Sequence, residues 1–286
     1  MDCLLSVLER QSVPIDEIIV IDSASNDNTV DIAKKHKNVK IIEIKREQFN
    51  HGATRHNAFL ESIGDIVCFL TQDALPLNEF YIENLVKPFS ENPNIACVYG
   101  RQVARENACQ TEKLLKEFNY PDKSFIRSKK DIEKFGIKAF FTTNVCSAYR
   151  RDCYLQVGGF KKVIVSEDME IAYRFLMADF EIFYASNAVI LHSHDYTLVS
   201  HFKRHFDISV FLKEHKQCDL GTVVEGIRSV IFCILNLLRR VKFLTVIYFI
   251  LNSIAKLAGS IVGKSYRIFP KNLIKSMSGQ KTWWEE

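Results

Sequence analysis

Four short runs rich in β-branched residues constrain this chain more than anything else in it: EIIVID (17–22), VKIIEIK (39–45), DIVCFLT (65–71) and IACVYGRQV (95–103). A segment of helix character separates each from the next: SNDNTVDIAKKH (25–36), GATRHNAFLESIG (52–64), closed by Gly64, and NEFYIENLVKPF (78–89). Parallel strands need a crossover of a dozen or more residues between them, usually a helix, so this alternation predicts an α/β fold on a mostly parallel sheet flanked by helices. A nucleotide-binding domain of that class opens on a buried strand, whereas this chain opens on MDCLLSVLER (1–10), which reads as a helix. The expectation is therefore a sheet lacking its first strand.

Beyond residue 104 the pattern thins. Residues 105–137 are rich in charge and lack periodicity, which reads as a mobile loop or lid. NVCSAYR (144–150) resumes strand character, RDCYLQVGGF (151–160) reads as a helix with a Gly-Gly stop, and SEDMEIAYRFLMA (166–178) as another helix. Two short strands, EIFYA (181–185) and AVILHSH (188–194), precede an amphipathic helix at 201–215. Charge then changes sign: residues 220–286 hold ten Lys/Arg against three Asp/Glu, while residues 1–219 hold 28 against 31. The tail's apolar runs, SVIFCILNLL (229–238) and FLTVIYFILNSIA (243–255), are each shorter than the roughly 20 residues that span a bilayer. With basic residues between them they read as a segment lying on an anionic membrane face, or else as a buried helical hairpin. The division expected is a catalytic domain over 1–215 and a basic, amphipathic, membrane-associating tail over 216–286. The eight cysteines form no CxxC pair and several sit in apolar runs, which favours a reducing compartment over a disulfide framework or a zinc site.

Candidate chemistry lies at the strand ends, because ligands of open α/β sheets bind outside the carboxyl ends of the strands. Asp22 ends the first run and FLTQDALP (69–76) ends the third with Gln72 and Asp73. Asp73 can hold a hard divalent cation when a substrate diphosphate supplies the other oxygens, or Asp-Ala-Leu-Pro is a turn signal and nothing more. Ser166, Glu167 and Asp168 stand where a helix begins. Acidic residues there gain about 0.3–1 kcal/mol from the helix dipole, which would also lower their pKa, and a carboxylate kept ionised there suits a general base. Both readings of Glu167 and Asp168 stay open. FNHGATRHN (49–57) places Arg55 in the first turn of a helix, where backbone N–H groups attract anions, although a solvated helix face accounts for it equally. His192 and His194, two apart at a strand end, read either as metal ligands or as supporting histidines.

In their order and spacing, IVIDSASNDNT (19–29), FLTQDA (69–74), and VGGF (157–160) followed by SEDMEIAYR (166–174) resemble glycosyltransferase family 2, the inverting enzymes of GT-A fold. FNHGATR (49–55), FLTQDA, the stretch 192–209 and AKLAGSIVGKSYRIFPKNL (255–273) more narrowly resemble the bacterial rhamnosyltransferases of surface polysaccharide synthesis. The resemblance implies a nucleotide-diphospho-sugar transferase with Asp22, Arg55, Gln72 and Asp73 toward the donor nucleotide. It implies Asp73 on Mg²⁺ or Mn²⁺, to which His192 is added as a candidate ligand from its own position, and Asp168 as catalytic base with Glu167 beside it. Gln72 stands where many members have a carboxylate, Ser23 where a second Asp is common, and His56 where Asn is more usual. The strand not found ahead of residue 1 carries, in the family, a loop that packs on the nucleotide base. The donor implied is dTDP-rhamnose and the acceptor a lipid-linked glycan of O-antigen or capsule. Localisation would be cytoplasmic, peripheral to the inner face of the membrane, with no nucleic acid among the partners. The competing expectation is a catalytically inactive GT-A domain acting as a binding or scaffold component of a polysaccharide assembly complex.

Overall fold

The computed structural model describes residues 1–194 and 196–285. In chain order the elements of the first half are α1 (Asp2–Leu8), β1 (Ile18–Asp22), α2 (Thr29–Ala33), β2 (Val39–Glu43), α3 (His51–Glu61), β3 (Ile66–Leu70), β4 (Leu75–Pro76), α4 (Tyr81–Glu91), β5 (Ile95–Val103), α5 (Gln110–Asn119), β6 (Phe125–Arg127) and α6 (Asp131–Phe135). They continue with β7 (Cys146–Arg150), α7 (Arg151–Gln156), α8 (Glu167–Met177), β8 (Glu181–Leu191), α9 (Leu198–Glu214), α10 (Thr222–Arg239), α11 (Phe243–Lys264) and α12 (Lys271–Met277). The chain divides into two compact units, one of residues 1–103, 120–162 and 167–192, the other of residues 104–119, 163–166 and 193–286.

The first unit is the expected α/β layer structure, but its sheet is mixed rather than mostly parallel. β1 and β2 pair in parallel as a separate ribbon, Ile18 opposite Val39 through Asp22 opposite Glu43. The larger sheet has the order β3-β7-β5-β8-β4, with β6 added to β8, and among the described residues only β5 and β8 run parallel in it. The difference has a simple cause. Hydrophobic periodicity reports which residues are buried, not which strand lies alongside, and β7 comes from far along the chain to insert between β3 and β5. Its alternation fits that central place. Cys146 and Ala148 join Leu85, Val98 and Ile190 in one apolar cluster, while Tyr149 faces Phe69, Phe160 and Phe175, ring centroids 5.3–6.1 Å away. The two strands expected at 181–194 are one, β8, which runs through Ser186-Asn187 with a register shift against β5 at Gly100/Arg101. The Gly-Gly stop after α7 is present, Gly158 at φ 81° and Gly159 at φ 65°, a backbone region that favours glycine.

In the second unit the segment expected as a loop at 105–137 begins with a two-to-three-turn helix, α5. Charge masked its apolar side: Leu114 is buried against Cys233, Leu237, Val246 and Phe249 of α10 and α11, with Leu115 beside it. α9 lies along α11. Gly259 and Gly263 make that packing possible. A Cβ at either would collide with the carbonyl oxygens of Phe202 and Phe206, one turn apart on α9, so the two backbones touch and run in the same direction. The apolar runs of the tail sit inside longer helices than expected. Lys216–Arg239 and Phe243–Lys264 are long and apolar enough, by length and composition, to cross a membrane.

Candidate functional site

Three consecutive polar residues, Thr142, Thr143 and Asn144, sit just ahead of β7 and gather the candidate groups of the first unit. Thr142 Oγ1 donates to the backbone carbonyl of Asp168 at 2.9 Å. The backbone N–H of Asn144 donates to Asp168 Oδ2 at 3.2 Å, and its side-chain Nδ2 donates to Glu167 Oε1 at 3.0 Å. Asn144 Oδ1 in turn accepts from Ser147 Oγ at 3.0 Å and Tyr149 Oη at 2.7 Å, so a buried amide is held at both ends. One residue, through its backbone and its side chain, thereby fixes both Glu167 and Asp168. Thr143 faces the other way: its Oγ1 accepts from Gln102 Nε2 at 3.0 Å, and Gln102 Oε1 lies 2.9 Å from His192 Nδ1. His192 Nε2 lies 3.3 Å from Asp73 Oδ2. Asp73 itself lies in a turn closed by Ala74 N donating to Thr71 O at 3.0 Å, while Thr71 N donates to Val145 O at 3.3 Å. Asp73 and Asp168, almost a hundred positions apart in sequence, are thus tied to the same four residues, 142–145.

Arg55 completes the acid cluster. Asn50 caps α3 by accepting from Ala53 N at 2.9 Å, and Gly52 lies so close to the Lys161 carbonyl that any Cβ would collide with it and approach Glu167 Cβ to 3.3 Å. The missing side chain lets the helix start press against α8. Arg55, one turn later, then donates from a guanidinium N–H to Glu167 Oε1 in an ion pair beside His51.

The two acids are tuned in opposite directions. Burial alone would raise the pKa of Glu167, but the positive charge of Arg55, then His51 and the Asn144 hydrogen bond outweigh it and hold the carboxyl below its ordinary value. Asp168 is pushed up to about 7, first by loss of water around it and then by the neighbouring Glu167 charge, against hydrogen bonds from Met169 N and Asn144 N. The helix dipole was expected to lower Asp168, and burial overrides it. Asp168 nevertheless keeps some solvent exposure. It is a carboxylate with an open side, firmly oriented, whose affinity for a proton lies near neutrality, which is what proton abstraction at neutral pH requires.

Of the residues singled out in sequence, Arg55, Glu167 and Asp168 form one cluster, and Asp73 and His192 another. His192 is 2% exposed, so it is neither a surface histidine nor a solvated one. Asp73 retains 40% of its side-chain exposure, leaving room for oxygen ligands from outside the protein. A carboxylate oxygen and an imidazole nitrogen at that separation, one buried and one open, suit a divalent cation that takes its remaining ligands from substrate or water. Asp22, at the end of β1, is buried and accepts from Ser25 N at 3.0 Å in its own turn. Gln72 is exposed. Thr142, Thr143, Asn144 and Gln102 were missed. The only signal was the polar triplet TTN set between Phe140-Phe141 and a buried strand, a place where polar side chains need partners.

Comparison with known proteins gives the family and the fold. The profile of "Glycosyl transferase family 2" matches residues 2–158. The O-antigen chain rhamnosyltransferase RfbN of Salmonella typhimurium is 38% identical over 286 residues, 98% of this chain and 90% of that protein. The O-antigen chain rhamnosyltransferase WbaN of Salmonella anatum is 36% identical over 281 residues, 96% of this chain and 88% of that protein. Among solved structures, the mannosyltransferase PcManGT from Pyrobaculum calidifontis in complex with GDP-Man and Mn²⁺ superposes with a TM-score of 0.56 at 15% identity, covering 99% of this chain and 80% of that one. S. aureus TarS 1-349 in complex with UDP gives 0.53 at 16% identity, covering 93% and 87%. At those identities the two structures share the fold with this chain.

Proposed function

The chain belongs to glycosyl transferase family 2, and on that premise we propose that it is an inverting rhamnosyltransferase that moves rhamnose from dTDP-rhamnose to a lipid-linked glycan in surface polysaccharide synthesis. The observation that carries the catalytic assignment is the shared anchorage of Asp73 and Asp168 on residues 142–145. Asp168 is the base. Its Oδ2 is fixed by Asn144 N and its Oδ1 by Met169 N, and it takes the proton of the acceptor hydroxyl as that oxygen attacks the anomeric carbon opposite the leaving diphosphate, which inverts configuration. Glu167, neutralised by Arg55, stays ionised and keeps Asp168 basic enough for the task. Asp73 and His192 would hold Mg²⁺ or Mn²⁺, which when bound offsets charge on the departing diphosphate. Asp22 and Gln72, with Arg55 as cluster partner, would line the nucleotide side.

The two O-antigen rhamnosyltransferases, which match over nearly the whole chain, support the reading of a rhamnosyl donor. We place the enzyme in the cytoplasm, with residues 216–286 lying on the inner face of the membrane. α10 exposes Val223, Ile227, Ile231, Leu235 and Leu238 along one stripe, and Arg239, Arg240 and Lys242 crowd the bend into α11. The test uses purified full-length chain with dTDP-rhamnose, Mn²⁺ and a lipid-linked acceptor extracted from membranes. Asp168→Asn should lower turnover at least about 10²-fold, the low end for loss of a general base, without weakening donor binding. Unchanged turnover would remove Asp168 from the mechanism, and no transfer by the unsubstituted chain with any nucleotide-sugar would favour the scaffold alternative.

A further inference from the structure

We propose that Gln102 is a positioning residue that holds His192 in the one tautomer able to bind a cation together with Asp73; this rests on the cation site proposed above. Gln102 and His192 are 3% and 2% exposed, so their mutual hydrogen bond is made away from bulk water and bears directly on where the imidazole proton sits. Gln102 stands on β5 and His192 just past the end of β8, the parallel neighbour, with Val103 opposite Leu191 and His192 N donating to Val103 O at 2.9 Å. The two side chains therefore meet by strand register. The amide nitrogen of Gln102 is engaged by Thr143 Oγ1 at 3.0 Å, which turns its carbonyl oxygen toward His192 Nδ1 at 2.9 Å. A carbonyl oxygen can only accept, so Nδ1 carries the proton and Nε2 is left with its lone pair.

That lone pair lies 3.3 Å from Asp73 Oδ2, another acceptor. Two acceptors so placed are brought together favourably by a cation between them, and a neutral imidazole with a bare Nε2 is the form that ligates a metal. With the Gln102 amide reversed, Nδ1 would accept, Nε2–H would donate to Asp73, and the pair would close on itself. In the observed orientation Thr143 Oγ1 accepts from the amide nitrogen, and because Asn144 is its neighbour in the chain, the same short segment reaches His192, through Gln102, and Asp168.

The experiment titrates Mn²⁺ into full-length, chelator-stripped chain without donor, followed by electron paramagnetic resonance. Gln102→Leu should weaken Mn²⁺ about 10- to 100-fold, the usual cost of losing the hydrogen bond behind a ligating histidine. Gln102→Glu, whose carboxylate accepts the same Nδ1 proton, should stay within about threefold of the unsubstituted chain, and in a His192→Ala background Gln102→Leu should have no further effect. A Gln102→Leu chain that binds Mn²⁺ undiminished, or one that loses as much without His192 as with it, overturns the proposal. Fold loss in Gln102→Leu leaves a second measurement in the unsubstituted protein. Long-range ¹⁵N NMR of His192, metal-free and at a pH where imidazole is neutral, should show the proton on Nδ1, and a proton on Nε2 refutes the assignment. Asp73→Asn separates the two levels: if it leaves Mn²⁺ binding intact, the cation site itself is wrong, whereas weakened binding there with no effect at Gln102 sinks only the present inference.

Discussion

Replacing Glu167 with Gln tests the electrostatic logic of the acid pair directly. The substitution keeps size and an acceptor oxygen for Asn144 and Arg55 but removes the negative charge that, after burial, does most to raise the Asp168 pKa. Both carboxylates hydrogen-bond to Asn144, one to its backbone N–H and one to its side-chain amide, so their charges are close neighbours. At an effective dielectric of about 20, two like charges roughly 6 Å apart repel by about 3 kcal/mol, or about two pKa units. Asp168 keeps part of its exposure, which screens some of this, so the expected fall is about one to two units from its value near 7. The proposed base works ionised, so the rate should climb as pH rises through its pKa, and in Glu167→Gln the acidic limb of the pH–rate profile should move to lower pH. Carbon-13 NMR titration of the Asp168 carboxyl gives the same number without turnover. Stability provides a further check on sign. A carboxyl whose folded pKa is raised contributes stability that is fully present below its unfolded pKa and is lost as pH rises through the folded one, so the decline of stability between about pH 4 and 7 should be shallower in the variant. An acidic limb that stays in place or moves upward would refute the proposed coupling.

Two other outcomes follow from the second unit. Gly259→Ala puts a methyl against the Phe202 carbonyl where α9 and α11 touch, and overpacking of that kind costs about 1–3 kcal/mol, readable as a lower urea midpoint with an unchanged slope. In flotation assays with anionic vesicles, the double change Ile247→Glu and Leu251→Glu, at side chains 57% and 47% exposed, should lower binding at least about tenfold, each lost side chain being worth about 1–2 kcal/mol. Equal binding by the double variant would place the contact elsewhere.

Local elements were well marked in the sequence, and long-range pairings were not. IIVID, VKIIE, IVCFL and CSAYR became strands because β-branched or alternating residues declare burial, and Gly158-Gly159 stopped α7 because few other residues take that backbone. Nothing local in CSAYR says that it inserts between β3 and β5, so the mixed sheet was out of reach. EKLL (112–115) looked like part of a charged loop because its partners, Cys233 and Leu237, stand more than a hundred residues on. Asp168 was singled out by its place at a helix start, yet the dipole argument gave the wrong direction for its pKa, since desolvation depends on what surrounds the helix. Gln102 and Asn144 were invisible for a related reason. Their importance lies in which side chains tertiary structure sets opposite them, and a lone amide in a strand carries no such mark.

Gly52 is the smallest participant in this arrangement, and its role is to leave space. Because α3 can lean on α8 only where a hydrogen replaces a methyl, any larger side chain at 52 would lever Arg55 away from Glu167 and strand a buried anion. Glu167 would then recapture a proton, its repulsion on Asp168 would vanish, and the second carboxyl would become a poorer proton acceptor without itself being touched. With Asp168 as the proposed base, reactivity would thus depend on a vacancy three residues from the arginine, and a library varied at position 52 alone would sort variants by basicity of a group on another helix.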